Sequence, residues 1–222
     1  VKIVVYTSVI GNYDGIRSSQ WPMLCFTDRA AAHLNRSQAV PRGVEWRRPL
    51  HVAATAARTA RWHKWNAHLV APDADVSVWL DGTHSLTAPP ARLVECLGAS
   101  DVATFVHRSR DCIYDEAAAC IDVRKDTRER LMAQVARYLD EYPLHGGLWE
   151  TQVVVRRHCA ATQGLNEAVW REIEGGSHRD QVSFPVVARR LGVSVAAIPG
   201  TGYVNAFTRF ARHNVAPGVR RG

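Results

Sequence analysis

No run of apolar residues in this chain approaches the roughly 20 that a membrane-spanning helix requires, and the sequence opens directly on the strand-like Val1 to Tyr6 without a basic and apolar leader. The expectation is a cytosolic protein. Its five cysteines, Cys25, Cys96, Cys112, Cys120 and Cys159, are odd in number, scattered and without a CxxC pair. That pattern implies neither a disulfide framework nor a zinc site, so buried free thiols are expected. There is no GxGxxG or P-loop fingerprint, no internal repeat and no low-complexity linker. Lysine is scarce as well, since only three of the 28 basic residues are not arginine.

What remains is ordinary for a globular α/β domain: 222 residues, 46% hydrophobic and 22% charged, enough for one domain with a full core. The formal net charge of +7 and pI near 9.5 favour polyanionic partners, such as a nucleotide diphosphate, a nucleic acid or an anionic surface. Arginine suits bidentate recognition of phosphate, although a GC-rich genome produces the same bias.

The chain is organised around Ser77 to Leu86, SVWLDGTHSL. Val76 to Leu80 is short, β-rich and bounded by polar turns, so it reads as a buried strand ending in Asp81, Gly82, Thr83 and His84. In open α/β sheets ligands bind beyond the carboxyl ends of strands, and a Gly after the Asp lets the backbone approach a phosphate or a metal. Lys2 to Val9 is an apolar central strand followed by a loop containing Gly11, Tyr13, Asp14 and Gly15, with Tyr13 able to stack on a base. Pro22 to Thr27 is a strand ending at Asp28. His51 to Val70 reads as one helix with Arg58, Arg61 and Lys64 along one side, which is either a solvated basic face or a surface aimed at a pyrophosphate. Asp73-Ala74-Asp75 precedes its strand and follows Pro72, which makes this literal DxD a helix-stop loop.

Further strands are expected at Asp101 to Val106 and Thr151 to Val155, and helices at Asp111 to Ile121, Asp126 to Leu139 and Ala160 to Glu174. His145-Gly146-Gly147 is either a plain turn or a place of close substrate approach. Ser177 fits the N-cap of a last helix, with Asp180 three residues on as its capping acid. One folded domain over 1–202 is expected, with a basic tail over 203–222 that could fold over a bound anion.

The segments YTSVIGNYD, LCFTD, ARWHKW, SVWLDG, HRSRDCIYDEA, HGGLWETQVVVRRH and HRDQVSF, in this order, resemble the glycosyltransferase-like family long catalogued as domain of unknown function 616. The resemblance spans nearly the whole chain. It implies a single GT-A-like, Rossmann-like nucleotide-binding domain, with a mostly parallel central sheet flanked by helices. It implies a nucleotide-sugar donor whose nucleotide is held by the first-strand loop and Asp28, with a DxD-like position at Asp81 to Thr83; UDP is the expected nucleotide, and the expected donor-binding residues are Tyr6, Thr7, Gly11, Tyr13, Asp14, Asp28, Arg61, Lys64, Asp81 and Gly82. His107, Gly146, Gly147, Glu150 and Arg179 are assigned to the sugar and acceptor region. Asp180 and Gln181 are the catalytic pair.

A Mg²⁺ or Mn²⁺ ion at Asp81 follows from the DxD-like position, yet the second acid is Thr83, a poorer ligand. Either His84, His107 or His213 completes the metal site, or Arg61 and Lys64 carry the phosphate charge themselves. An inverting transfer would use Asp180 as general base. A retaining one would use Asp180 or Gln181 to stabilise an oxocarbenium-like state while the leaving phosphate takes the proton; Glu150 and Asp115 are substitute bases. The acceptor is a glycan or, given the charge, a modified DNA base of the phage type, with Arg209, Arg212, Arg220 and Arg221 tracking phosphates. A sugar nucleotidyltransferase would want a glycine-rich signature that GNYDG does not supply. A non-catalytic nucleic-acid-binding module leaves Asp81 and Asp180 unexplained.

Overall fold

The computed structural model describes residues 1–11, 14–15, 17–29 and 42–212; the expectations for Tyr13, His213, Arg220 and Arg221 lie outside them. The strands are β1 (Ile3–Val9), β2 (Met23–Thr27), β3 (Val44–Arg47), β4 (Val76–Leu80), β5 (His84–Leu86), β6 (Val102–Val106), β7 (Trp149–Arg157), β8 (Val195–Ala197) and β9 (Thr208–Phe210). The helices are α1 (Ala56–Trp65), α2 (Ala67–Val70), α3 (Pro90–Glu95), α4 (Ile113–Asp122), α5 (Arg128–Tyr138), α6 (Ala160–Gly175) and α7 (Asp180–Arg190).

Seven strands form one sheet in the order β3-β2-β1-β4-β7-β6-β8. Neighbours run parallel except at β7, which is antiparallel to both β4 and β6. From β1 the chain moves outward through β2 and β3, then returns to the other side of β1 as β4. That reversal opens a crevice at the carboxyl ends of β1 and β4, where Gly11 and Asp81 lie.

Side chains of β4 and β7 alternate between two cores. Val78, Leu80, Val153 and Val155 pack with Leu93 and Leu97 near α3. Trp79 and Val154 pack with Trp65, Leu165, Val169 and Phe184 of α1, α6 and α7. Each such aliphatic side chain contributes about 1.5–3 kcal/mol relative to exposure. A third cluster joins α4, α5 and the far side of α7 through Ile113, Leu131, Val135 and Val182.

Three expectations are corrected. The helix expected over His51 to Val70 is two helices, because Asn66 leaves helical geometry and its amide donates to Trp62 O (2.9 Å); an Asn side chain competes with the helical backbone. Ser177 is not the N-cap of α7: that residue is Arg179, without a side-chain cap. Ser177 Oγ instead accepts from Arg179 N and donates to Asp126 (2.7 Å), while Asp180 points elsewhere. Residues 203–212, expected as tail, fold against the body. Phe207 enters the first core and β9 pairs antiparallel with β5. At three residues each, β5, β8 and β9 are too short to show a hydrophobic period.

Candidate active site

Asp81 continues the β4 pairing by one step, its N–H donating to Gln152 O (2.8 Å). Its Oδ1 accepts from Trp79 Nε1 at 2.7 Å. Arg61 and Lys64, three residues apart and so on one face of α1, bring Nη1 and Nζ to 3.7 and 3.8 Å from that same oxygen. Behind them lies Asp180, the first residue of α7. Its Oδ2 is 2.5 Å from Lys64 Nζ and accepts from Trp65 Nε1 and Thr151 Oγ1, both at 3.0 Å, while Oδ1 is 3.3 Å from Arg61 Nε. Exposure rises from Lys64 and Asp180, at 0% and 1%, to Arg61 and Asp81, at 17% and 23%. The mouth of the cleft is therefore at Arg61 and Asp81.

Burial lowers the Lys64 pKa to about 8, against the pull of Asp180 and Asp81, which favour its charge. For Asp180 burial alone acts upward. The charges of Arg61 and Lys64, with the Lys64 hydrogen bond, outweigh it and hold the carboxyl well below the usual range. An anion so stabilised and enclosed is a poor proton acceptor, which weighs against Asp180 as general base. Its carboxylate lies between two cations, 3.3 Å from Arg61 Nε and 2.5 Å from Lys64 Nζ.

The third cation of the row does not join them. Arg58 donates to the carbonyls of Ile173, Glu174 and Gly176 at the end of α6, as suits a cation at a helix C-terminus.

Of the expected donor residues, Gly11, Asp14, Asp28, Asp81 and Gly82 gather at the carboxyl ends of β1, β2 and β4. Asp28 accepts from Gly11 N with both oxygens (2.9 and 3.1 Å), and Arg29 Nε donates to Gly11 O at 2.8 Å. Gly11 has φ +67°, the left-handed region that glycine accepts without strain. A Cβ on Gly82 would lie 3.1 Å from Asp14 Cβ and 3.2 Å from Val9 Cγ2, so its lack of a side chain lets the first loop close over β4. Tyr6 is corrected. It is fully buried, its hydroxyl donating to Lys64 O and accepting from Arg156 Nη1, both at 3.1 Å, so it supports Lys64 from within the core. Thr7 is likewise buried, and its Oγ1 has no hydrogen-bond partner among the described residues.

The proposed metal partners fare worse. His84 has both ring nitrogens engaged, Nδ1 with Thr83 Oγ1 (3.1 Å) and Nε2 with Gly202 O (2.7 Å). The Thr83 hydroxyl is thereby occupied too. His107 Nδ1 accepts from Arg110 N (3.0 Å), and Nε2 faces Glu116 at 3.7 Å. Among the described residues, a divalent ion at Asp81 would thus meet a carboxylate already flanked by two cations within 4 Å, with no histidine free to join it from His84 or His107. Those residues do not fit a protein-held Mg²⁺ or Mn²⁺, which prefers several oxygen ligands.

On the acceptor side, Glu150 is buried and its Oε2 accepts from Gly202 N at 2.6 Å. Asp115 is exposed on α4. Tyr142 Oη lies 2.7 and 2.9 Å from the carbonyls of Gly146 and Gly147, and a Cβ on Gly146 would meet the Tyr142 ring at 2.7 Å. The Tyr142 side chain thus packs against this turn. Arg179 donates to Gln181 Oε1 (3.0 Å), and Gln181 Nε2 donates to Trp149 O (3.2 Å), so the Gln181 amide is engaged at both ends. A cavity of about 710 Å³ bordered by Ile3, Met23, Val44 and Ala74 lies at the opposite, amino-terminal ends of the strands and carries none of this chemistry.

Sequence reasoning missed Trp65, Trp79 and Thr151 as donors to the two carboxylates, and Gln152, whose buried Oε1 has no partner among the described residues. Only the two tryptophans had a signal, since a buried indole N–H needs an acceptor.

The sequence matches the family model of the TOD1/MUCI70 glycosyltransferase-like domain over residues 50–219. Among curated proteins, none matches the chain at a significant level. Of the solved structures, the WbbM bifunctional glycosyltransferase superposes with a TM-score of 0.53 at 10% identity, covering 89% of this chain and 39% of that one. Mouse xyloside xylosyltransferase 1 gives 0.49 at 10% identity, covering 89% of this chain and 84% of its own. This chain therefore spans about two fifths of WbbM. Identities this low speak to fold alone, and that fold is the GT-A type. Among the described residues no helix is long and apolar enough to cross a membrane. With the family model covering more than half of its length, the chain belongs to the TOD1/MUCI70 glycosyltransferase-like domain family.

Proposed function

We propose that this domain transfers a sugar from a nucleoside diphosphate sugar, UDP-linked by preference, to an acceptor hydroxyl, with Arg61 and Lys64 in place of a resident metal ion. The observation that carries the reading is their convergence on Asp81 at the mouth of the β1/β4 crevice. Breaking the glycosyl–phosphate bond leaves its electron pair on a phosphate oxygen, and cations aimed there stabilise the charge as it develops. Asp14, Gly11 and Asp28 form the nucleotide side, beyond β1 and β2. Asp180 is the positioning residue that keeps both cations aligned.

With the Asp180 carboxylate enclosed by donors, the acceptor proton passes to the departing phosphate oxygen while the acceptor oxygen bonds the anomeric carbon from the same face. Retention of configuration follows, and the anomeric coupling of the product in proton NMR tests it; an inverted product overturns this route.

The binding experiment is a thermal-shift panel of nucleoside diphosphates with Mn²⁺, with Mg²⁺ and with chelator. A bound ligand at 100 times its Kd stabilises by about 2.7 kcal/mol. Stabilisation by one nucleotide that survives chelator is expected. Loss of the effect in chelator overturns the metal-free reading, and no response to any nucleotide overturns the donor assignment.

Activity carries a pH signature as well. Lys64, buried behind Arg61, must be cationic to add its field at the phosphate, so kcat/KM falls as pH rises through about 8, the pKa to which burial lowers this group. Lys64→Arg moves that alkaline limb upward, because a guanidinium stays charged there.

A glycan is the default acceptor. The net charge of +7 favours a second reading, a modified base in DNA, with the exposed Arg209 and Arg212 beside the cleft. Duplex DNA binding that weakens steeply with salt would mark the latter.

A further inference from the structure

Outside the cleft, three side chains carrying three kinds of metal-ligating atom converge. The Cys112 sulfur, an Asp115 carboxylate oxygen and a ring nitrogen of His145 all lie within 4.8 Å of one another. Cys112 is buried and is the N-cap residue of α4; Asp115 is in the first turn of that helix. His145 arrives from the turn before β7, at φ +55°, a left-handed conformation that residues with a Cβ adopt at a cost.

A carboxylate stands behind the imidazole. Asp111 Oδ1 is 2.8 Å from His145 Nδ1, and Asp111 O accepts from Gly147 N at 2.8 Å. A carboxylate behind the imidazole is the usual support of a metal-binding histidine, since it fixes the ring and raises its basicity.

We propose that Cys112, Asp115 and His145 form a zinc site, with water as the fourth ligand, that clips the start of α4 to the turn leading into β7. The donor set selects the ion. Sulfur, nitrogen and one carboxylate oxygen suit four-coordinate Zn²⁺, whereas Mg²⁺ and Ca²⁺ want oxygen throughout. On binding, the Cys112 thiol releases its proton to solvent and the sulfur ligates as thiolate. The clip stands a few residues upstream of Thr151, the hydroxyl donor to Asp180. It lies outside the CxxC spacing by which zinc sites are usually read, since the third ligand comes from a distant segment.

The test is titration of the chelator-stripped full chain with Co²⁺, followed by displacement with Zn²⁺. A one-to-one thiolate-to-cobalt charge-transfer band with tetrahedral d–d bands, bleached by zinc, is expected. Cys112→Ser removes the charge-transfer band, and Asp111→Asn weakens binding about tenfold or more. Cys159→Ser, at an exposed cysteine, leaves the spectrum unchanged. His145→Ala changes an exposed side chain and keeps the fold, so loss of its metal affinity is read independently of any packing effect at Cys112. An absent band, or one that persists in both Cys112→Ser and His145→Ala, overturns the site. Because this readout involves no nucleotide, it stands or falls apart from the transferase assignment.

Discussion

Replacing Asp180 with Ala will lower the stability of the folded domain by about 3–5 kcal/mol, the range observed when one member of a buried ion pair is removed. The reason is the position of Lys64. Its ammonium has 0% exposure and its nearest anion is Asp180 at 2.5 Å; Asp81 is more distant at 3.8 Å. Without Asp180 the buried cation loses its main compensation, and Trp65 Nε1 and Thr151 Oγ1 lose their acceptor. Urea unfolding followed by tryptophan fluorescence measures the change. A companion double variant, Lys64→Met with Asp180→Leu, should recover most of the loss, because an apolar pair of similar volume is often neutral relative to a buried ion pair. A shift below about 1 kcal/mol in the single variant would match an exposed pair instead, and would remove the argument that Asp180 is a structural anion. The pH dependence has a fixed sign. A carboxyl with a depressed folded pKa supplies stability above its unfolded pKa of about 3.9 and loses it as pH falls toward the folded value. The acid limb of the stability curve will therefore be shallower in Asp180→Asn.

Arg61→Ala is expected to reduce kcat by about 10²–10³, the effect of deleting one donor aimed at developing charge, with a much smaller change in stability. Arg61 is partly exposed and sits 3.7 Å from Asp81 and 3.3 Å from Asp180, at the mouth of the cleft. Its guanidinium can hold two phosphate oxygens at once while remaining charged at any working pH. Arg61→Lys keeps the charge but not the fork, so it should restore only part of the rate. Steady-state kinetics separate the contributions. A fall in kcat with little change in KM identifies an interaction made in the transition state, whereas a rise in KM alone would assign Arg61 to ground-state binding.

Legibility in the sequence followed the range of the interaction. The strand ending in Asp81 and the pairing of Arg61 with Lys64 rest on local period; the strand is present where local pattern put it, and the two cations share one helix although it is shorter than expected. Asp180 drew attention only through the ordered family segments, and locally it resembled a capping acid. Its actual partners, Lys64, Trp65 and Thr151, lie on two other elements, and no spacing rule connects them. The partner of the His84 Nε2 was hidden for the same reason, because Gly202 is 118 residues away. Arg58 shares its helix face with Arg61, yet the end of α6 claims it. The small strands were invisible because three residues cannot display a period of two.

The pairing of β9 with β5 has a consequence for biosynthesis. A ribosome delivers this chain amino end first, so the middle segment carrying His84 and Glu150 emerges well before Gly202 and Phe207. Until then the Glu150 carboxylate lacks the Gly202 amide, the His84 imidazole lacks its carbonyl, and the core face under Leu86 lacks Phe207. A nascent chain can assemble β1, β2 and β4 early, but this side of the cleft stays open until the last described residues clear the exit tunnel. Translation pausing or chaperone capture in that interval acts on a polypeptide in which this wall of the cleft is still missing.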